Sequence, residues 1–183
     1  MNICSVVYKK EWPVLVICPS SVRLHWQEQI LQWLPDTISP NDVTVITKGG
    51  IGSITSNLKF VIISYGLICK CVRVLAKKEF KFVICDEAHY LKNPKAQRTA
   101  SIIPFIQNAK RAILISGTPA LSRPYELFTQ LHSLSKDVWR DERAFHERYC
   151  NYEKSTNFII ITILKGTATR GAIARTSQSC TRS

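Results

Sequence analysis

The chain alternates short apolar runs with stretches in which apolar residues recur every three or four positions. Four of the five runs are almost continuous in Val, Ile, Leu and Phe. A strand that is apolar at consecutive positions is covered on both faces, as happens in a parallel sheet. The runs that we predict as strands are Val14–Cys18, Val43–Thr47, Phe60–Ser64, Phe80–Cys85 and Ala112–Ser116.

Between the runs, apolar side chains fall at helical spacing and predict four amphipathic helices. Their stripes are Val22, Trp26, Ile30, Trp33 and Leu34; Leu67, Ile68, Cys71, Val72 and Leu75; Thr99, Ile102, Ile103 and Ile106; and Tyr125, Leu127, Phe128 and Leu131. Ser20 and Ser21 precede the first helix and can cap it. Repeated alternation of strand and helix predicts a single α/β domain with a doubly wound, mostly parallel sheet.

The last part of the chain has a different composition. From Lys165 onward it contains no acidic residue and only Ile173 as a large apolar side chain. Such a segment buries too little to fold by itself, so we predict that residues 153–183 form a divergent, disordered tail. Phe158–Leu164 is predicted either as a last strand or as an apolar extension.

The charge of the chain indicates the kind of partner. Among 183 residues, 25 Lys and Arg exceed 13 Asp and Glu, for a net charge of +12. This excess favours a polyanion such as nucleic acid, although solubility alone is the alternative explanation.

The seven cysteines include no C-x-x-C pair, which argues against a zinc site or a disulfide framework. No segment approaches the roughly 20 apolar residues of a membrane span, so we expect a soluble intracellular protein without a membrane partner.

A pair of carboxylates follows the fourth apolar run. The run is followed by Asp86 and Glu87, and Ala88 and His89 come next. A buried strand that leads into Asp-Glu is a Walker B pattern, in which the first carboxylate serves Mg²⁺ and the second orients or deprotonates a water. The alternative is an exposed acidic turn followed by an incidental histidine.

Two other strand ends carry hydroxyl groups. The fifth run ends in Ser116, Gly117, Thr118 and Pro119, which alone is a plausible turn. The first run ends in Cys18-Pro19-Ser20-Ser21 at the start of a helix. Free backbone N–H groups at such a position suit a phosphate, but an ordinary helix cap is the simpler interpretation.

These motifs occur in the order and spacing of helicase superfamily two. The chain resembles the SWI/SNF-like translocases, and within them the annealing-helicase branch of the HARP and zinc-finger-Ran-binding type. Roughly residues 3–152 are covered. The segments that carry the resemblance are Glu11–Pro13, Pro19–Arg23 with Trp26, Phe80–Ile84, Asp86–His89, Leu91–Asn93, Lys110–Leu114, Ser116–Ala120, Arg123–Leu127 and Arg148–Cys150. Ala88 stands where that branch often has Ser, which leaves both carboxylates in place.

The resemblance implies a RecA-like fold of the P-loop NTPase type, with a partial first motor lobe in residues 1–152. It implies an ATP-dependent DNA translocase in the nucleus that acts in DNA repair or replication-fork remodelling on forked or single-strand/double-strand junction DNA. By resemblance, Asp86 would bind Mg²⁺ through water, Glu87 would activate the hydrolytic water, and His89, Ser116, Gly117 and Thr118 would couple hydrolysis to movement. Ser20, Ser21, Arg23, Ser64 and Tyr65 would lie along the DNA backbone.

The glycine-lysine loop G-x-x-x-x-G-K-[ST], which cradles phosphates, does not occur in these 183 residues, because none of the seven glycines is followed by Lys. By resemblance that loop precedes Ile3–Pro13, so we expect the chain to begin just after it and to lack the second motor lobe. ATP and Mg²⁺ would then be cofactors of the complete parent protein, with no tight binding to this chain alone.

Two interpretations of function therefore remain. In the first, the chain is part of a DNA-dependent ATPase that has both lobes. In the second, it is a non-catalytic piece that binds DNA or a protein partner, from a truncated gene model or a splice form. A third, an unrelated nucleotide-binding α/β enzyme, is disfavoured because no glycine-rich loop follows any predicted strand.

Overall fold

The structure, a computed structural model, describes residues 11–47, 57–117, 125–150 and 163–164. The strands are β1 Val14–Cys18, β2 Val43–Val45, β3 Phe60–Ser64, β4 Phe82–Asp86, β5 Arg111–Ile115 and β6 Ile163–Leu164. The helices are α1 Arg23–Trp33, α2 Ile68–Leu75, α3 Gln97–Asn108, α4 Glu126–Leu134 and α5 Glu142–Tyr149.

The strands form one sheet in the order β2-β3-β1-β4-β5-β6. The first five are parallel, and β6 pairs antiparallel with β5. The three central strands are buried over almost their whole length, which is why their sequences are apolar at consecutive positions. The mostly parallel α/β sheet that the sequence predicts is thus the observed one.

Alternate residues of β1 enter two apolar layers, one on each face of the sheet. Leu15 and Ile17 belong to a layer that contains buried residues of α2 and α3. Val14 and Val16 belong to the opposite layer, which contains Ile30 of α1. Helices cover both faces of the sheet, which is therefore doubly wound. Polar groups lie at the two edges where the strands begin and end.

The structure corrects several details of the prediction. Trp33 is not on the buried stripe of α1: its side chain is 56% exposed and its Nε1 donates to Gln29 Oε1. Ser20 and Ser21 do not cap α1, because they lie in a 3₁₀ turn and no side chain caps the helix. Helix α5 was not predicted from the sequence at all. Its buried Phe145 packs with α4 in a separate aromatic cluster.

Strand bounds shift by one or two residues. Strand β4 begins at Phe82 rather than Phe80, because Phe80 N is in a turn that bonds Lys78 O. Of the stretch predicted as a last strand or an extension, Ile163 and Leu164 form a short strand. Within the described residues, no helix is long and apolar enough to cross a membrane. The domain boundary near residue 152 stays a prediction.

Candidate functional site

The parallel strands bring the predicted motifs to one edge of the sheet. Cys18 is aligned with Ser64, and Asp86 with Ile115, so the carboxyl ends of β1, β3, β4 and β5 are adjacent. Ligands of open parallel sheets bind at this edge, outside the ends of the strands. The residues between Cys18 and Arg23, the two carboxylates at the end of β4 and Ser116 therefore share one region.

Asp86 is held by neutral donors from different elements. Its Oδ2 accepts from Trp26 Nε1 of α1 at 2.9 Å, and its Oδ1 accepts from Glu87 N at 3.0 Å. Its backbone oxygen accepts from the Tyr65 hydroxyl at 2.8 Å. In the part of the chain that the structure describes, no Lys, Arg or His forms an ion pair with this carboxylate. The Asp86 carboxylate is thus fixed in place, and no cation of the described segments pairs with it.

The thiols and the phenol around Asp86 are uncharged. Burial, followed by the charge of Asp86, raises the pKa of Cys18 to about 12. Burial also raises the pKa of Cys85. The pKa of Tyr65 is raised well above its usual value, by burial first and then by neighbours that include Asp86. Tyr65 is therefore protonated and able to donate to the Asp86 backbone oxygen.

Glu87 adopts a backbone conformation that is rare for a residue with a side chain. Its φ of 54° and ψ of 52° are left-handed, and it is the one non-glycine residue with positive φ among those described. The turn leads into a 3₁₀ helix, Ala88–Leu91, and leaves the Glu87 side chain 43% exposed. Strain of this kind concentrates at functional sites.

His89 joins Glu87 to the end of β5. Its Nδ1 lies 3.0 Å from Glu87 Oε2 and 3.3 Å from Ser116 Oγ. An ionised carboxylate only accepts hydrogen bonds, so we assign the Nδ1 proton to the side that faces Glu87. The three predicted residues Glu87, His89 and Ser116 therefore form one connected group.

The remaining part of the Ser-Gly-Thr motif is only partly described. Ser116 is 3% exposed. A Cβ added at Gly117 would meet no atom within 4 Å, so no close approach of a described neighbour requires glycine there. Thr118 lies outside the described residues, and its predicted role stays a prediction.

An aromatic stack that was not predicted from the sequence lies next to the site. The Tyr65 and Tyr90 rings are stacked with centroids 4.8 Å apart, and the His89 and Tyr90 rings are stacked at 4.9 Å. The guanidinium of Arg98 lies 5.5 Å from the Tyr90 ring. Tyr90 directly follows the DEAH box, but no periodicity or motif marks it as a contact of Tyr65.

The five residues predicted along the DNA backbone differ in exposure. Ser20 and Ser21 are exposed at the carboxyl edge. Arg23 is half-buried, and it donates from Nη1 to Ile46 O at 2.6 Å and from Nε to Ser20 O at 3.2 Å. Ser64 and Tyr65 are each 3% exposed. The exposed positions that could meet DNA at this edge are therefore Ser20 and Ser21, while the Arg23, Ser64 and Tyr65 side chains make internal contacts or are buried.

The donor set at this edge suits a hydrated cation better than a caged one. Among the described residues, no group of three or more His, Cys, Asp and Glu side chains could hold a metal ion. In proteins Mg²⁺ keeps several of its waters and is bound through one or two carboxylates together with substrate phosphates. Among the described residues, Asp86 is a fixed carboxylate with no cation partner.

Comparison with known proteins identifies the family. The family model described as "SNF2-related domain" matches residues 3–178.

This chain belongs to the SNF2-related family.

The names of similar proteins agree with this family, as does the resemblance of the sequence to SWI/SNF-like proteins. The SNF2-related chain is 42% identical over 149 residues to the DNA annealing helicase and endonuclease ZRANB3 of Bos taurus, which covers 79% of this chain and 14% of the relative. It is 44% identical over 144 residues to the SWI/SNF-related matrix-associated actin-dependent regulator of chromatin subfamily A-like protein 1 of Xenopus laevis, covering 79% and 15%. The chain thus spans about a seventh of the length of these relatives.

A solved structure has the same fold. The Sulfolobus solfataricus SWI2/SNF2 ATPase core, solved in complex with dsDNA, superposes with a TM-score of 0.62. The match covers 79% of this chain and 30% of the other, at 21% sequence identity. The RecA-like sheet predicted for this SNF2-related chain is confirmed.

Proposed function

We propose that this chain carries the acidic hydrolysis motif of an ATP-dependent DNA translocase of the annealing-helicase type. The proposal rests on the arrangement of side chains at the carboxyl edge of the sheet. Asp86 is a fixed carboxylate with no cation partner among the described residues. It directly precedes a strained glutamate, Glu87, whose carboxylate is linked through His89 to the next strand end.

Asp86 would hold the Mg²⁺ of Mg·ATP through water. Bound there, the ion would offset negative charge on the phosphates. Trp26 and the Glu87 N–H each occupy one lone pair of the carboxylate. Each oxygen can therefore still accept from a metal-bound water while its position stays fixed.

Glu87 would orient the attacking water and accept its proton. Its carboxylate is 43% exposed, so a water can reach it, and its second oxygen is held by His89 Nδ1. Because His89 also contacts Ser116 at the end of β5, a displacement of that strand end would move the hydrogen bond to Glu87. This connection gives the coupling role of His89 and Ser116 a physical basis.

DNA would be the polymer that is moved. The printed names of two relatives describe a DNA annealing helicase and a regulator of chromatin, and the solved neighbour was determined with dsDNA. The net charge of +12 agrees with a polyanionic partner. We extend the proposal to forked or junction DNA, to ATP and Mg²⁺ as cofactors and to the nucleus as the location.

The experiment exchanges the matched segment of the ZRANB3 relative for the corresponding residues of this chain, so that the host supplies the glycine-lysine loop. DNA-stimulated ATP turnover by this chimera is expected. Glu87→Gln should lower kcat by about 10²–10³ with little change in ATP binding, because only help to the transition state is lost. Asp86→Asn should also weaken Mg²⁺-dependent nucleotide binding.

Exposed Glu79 provides the matched control, since Glu79→Gln removes the same charge away from the edge. Undiminished turnover in the Glu87→Gln chimera would exclude its role as the base. A folded chimera that binds DNA but turns over no ATP would instead favour the non-catalytic alternative.

A further inference from the structure

The peptide unit between Asp86 and Glu87 is hydrogen-bonded at both of its ends. Its N–H donates to Asp86 Oδ1 at 3.0 Å, and its carbonyl oxygen accepts from the Tyr65 hydroxyl at 2.8 Å. Because a peptide unit is planar, its tilt sets the φ angle of the residue that follows it. Here that residue is Glu87, whose φ of 54° is left-handed. The two bonds therefore hold the peptide in the orientation that the strained turn requires.

The two bonds differ in origin. The N–H bond is made between Asp86 and its own neighbour, whereas Tyr65 lies 21 positions earlier, directly after β3. Tyr65 is itself fixed, since its N–H donates to Cys18 O at 3.3 Å and the residue is buried. In the sheet, β1 lies between β3 and β4. The hydroxyl therefore ties the Asp86–Glu87 peptide to a strand end on the far side of β1.

The Tyr65 side chain contacts the turn on both sides of Glu87. Its hydroxyl meets Asp86 O before Glu87, and its ring stacks on Tyr90 after Glu87, with 15° between the ring planes. Tyr90 in turn donates from its N–H to Glu87 O at 3.1 Å. Strained backbone persists only where the surrounding contacts over-determine it, and Tyr65 supplies two such contacts.

The Tyr65 hydroxyl is in the state that this bond requires. Burial first, and then the neighbouring Cys85 and Asp86, raise the pKa of Tyr65 well above its usual value, so the phenol keeps its proton at neutral pH. A backbone carbonyl only accepts, so the hydroxyl is the donor. The hydroxyl is thus directed at the backbone of the acidic motif, away from the solvent in which a DNA phosphate would lie.

Rotation of this peptide would displace Glu87 more than Asp86. The Asp86 carboxylate would keep its bond from Trp26 Nε1 at 2.9 Å. The Glu87 carboxylate lies 3.0 Å from His89 Nδ1, and that position depends on the left-handed backbone. Displacement of a reacting group by about 1 Å can cost about a hundredfold in rate.

We propose that Tyr65 is a positioning residue for Glu87: its hydroxyl holds the Asp86–Glu87 peptide in the left-handed turn and so keeps the Glu87 carboxylate against His89. The proposal rests on the proposed function, in which Glu87 orients the attacking water, and it names a residue that keeps Glu87 in place. It gives Tyr65 a role inside the lobe instead of the contact with DNA that the resemblance implies.

The first test uses the full 183-residue chain and needs no ATP turnover. The melting temperatures of Glu87→Gly and Glu87→Ala are compared in the unaltered chain, in combination with Tyr65→Phe, and in combination with Tyr90→Phe. Tyr90→Phe is the matched control, since it also removes one hydroxyl from the stack but leaves the donor to Asp86 O in place. Glycine adopts a left-handed conformation without strain, so Glu87→Gly should melt higher than Glu87→Ala wherever the turn is enforced.

Tyr65→Phe should reduce this difference between the two variants to about half or less, because the alanine variant can then leave the left-handed conformation. A hydrogen bond that merely added stability would lower both melting temperatures equally and leave the difference unchanged. An unchanged difference overturns the proposal, and so does an equal reduction by Tyr90→Phe. The absence of any difference in the unaltered chain also overturns it, because the turn would then not be strained.

The second test measures turnover in the chimera with the ZRANB3 relative. Tyr65→Phe should lower kcat about ten- to a hundredfold, with KM for Mg·ATP and affinity for duplex DNA unchanged, because Asp86 stays in place. Tyr149→Phe, in the separate aromatic cluster, is the control and should leave all three values unchanged. Weaker DNA binding with an unchanged kcat at saturating DNA would overturn the proposal, because Tyr65 would then contact DNA.

The two tests separate failure of this proposal from failure of the proposed function. A folded chimera with Tyr65 and Glu87 intact that hydrolyses no ATP contradicts the proposed function, and the melting temperatures still decide the role of the hydroxyl. Turnover that Tyr65→Phe leaves undiminished contradicts the role of Tyr65 alone. If Tyr65→Phe does not fold, NMR on the unaltered chain decides. Slow exchange of the Tyr65 hydroxyl proton with water supports the bond, and exchange as fast as in free tyrosine overturns it.

Discussion

The parallel strands begin at one side of the sheet, the amino edge, and end at the other, the carboxyl edge. Each of these edges contains a carboxylate held by two side-chain or backbone donors, but the donors differ. At the amino edge, Glu11 Oε1 meets Lys110 Nζ at 2.8 Å, and its Oε2 meets Arg111 Nε at 2.6 Å. At the carboxyl edge, Asp86 meets the Trp26 indole and a backbone N–H. In the part of the chain that the structure describes, one carboxylate has two cations as partners and the other has neutral donors.

This difference separates a carboxylate whose cation partners lie within the chain from the one that we propose binds a cation. Burial raises the pKa of Glu11, but hydrogen bonds and charge from Lys110 and Arg111 outweigh burial and hold that pKa below its usual value of 4.5. Its charge is already compensated within the chain. Asp86 instead has no cation partner among the described residues, and its two oxygens are held in position by the Trp26 indole and a backbone N–H.

Paired amide substitutions should produce the largest contrast in stability. Glu11→Gln and Asp86→Asn each replace one acceptor oxygen with an NH₂ group that faces a donor. Glu11→Gln should lower the free energy of unfolding by about 2–3 kcal/mol, because two charge-assisted bonds at a side chain only 6% exposed are lost. Asp86→Asn should cost about 1–2 kcal/mol, because its two donors are neutral. Urea denaturation of both variants measures the contrast, and equal losses would show that the cations at the amino edge add nothing.

The contribution of Glu11 should also depend on pH. Because its folded pKa is depressed, its stabilisation is complete above the unfolded pKa near 4.5 and is lost as pH falls through the lower folded pKa. The difference in unfolding free energy between wild type and Glu11→Gln should therefore be constant at neutral pH and shrink below about pH 4.5. A difference that grew on acidification would show that the pKa of Glu11 is raised, not lowered.

The comparison of the edges also shows what sequence alone can predict. Strand positions and the parallel sheet follow from continuous apolar runs, because burial on both faces leaves that pattern directly in the chain. The partners of the two carboxylates do not. Arg111 is 100 positions from Glu11 and Trp26 is 60 from Asp86, and such side-chain pairings leave no periodic signal. The stacking of Tyr90 on Tyr65 was missed for the same reason.

Trp26 should be worth less than the ion pairs at the amino edge. Trp26→Phe removes the N–H that bonds Asp86 but keeps an aromatic ring, and should cost about 1–2 kcal/mol because the acceptor is charged. Trp33→Phe is the matched control in the same helix, since its N–H bond to Gln29 is exposed and should contribute little. A double-mutant cycle with Asp86→Ala isolates the pair. Coupling below about 0.5 kcal/mol would assign the loss to packing instead.

The smallest expected effect concerns the strain at Glu87, the residue at which the carboxyl edge departs most from ordinary backbone geometry. A left-handed conformation costs a residue with a Cβ about 1 kcal/mol relative to glycine. Glu87→Gly and Glu87→Ala both remove the carboxylate and its bond to His89, so their comparison isolates the backbone. Glu87→Gly should therefore be about 1 kcal/mol more stable than Glu87→Ala in thermal unfolding.

No conformational strain is expected at the amino-edge carboxylate, because Glu87 is the one described non-glycine residue with positive φ. For that reason Glu11→Gly should be less stable than Glu11→Ala. If Glu87→Ala proved as stable as Glu87→Gly, the turn would be relaxed, and strain would no longer distinguish the two edges.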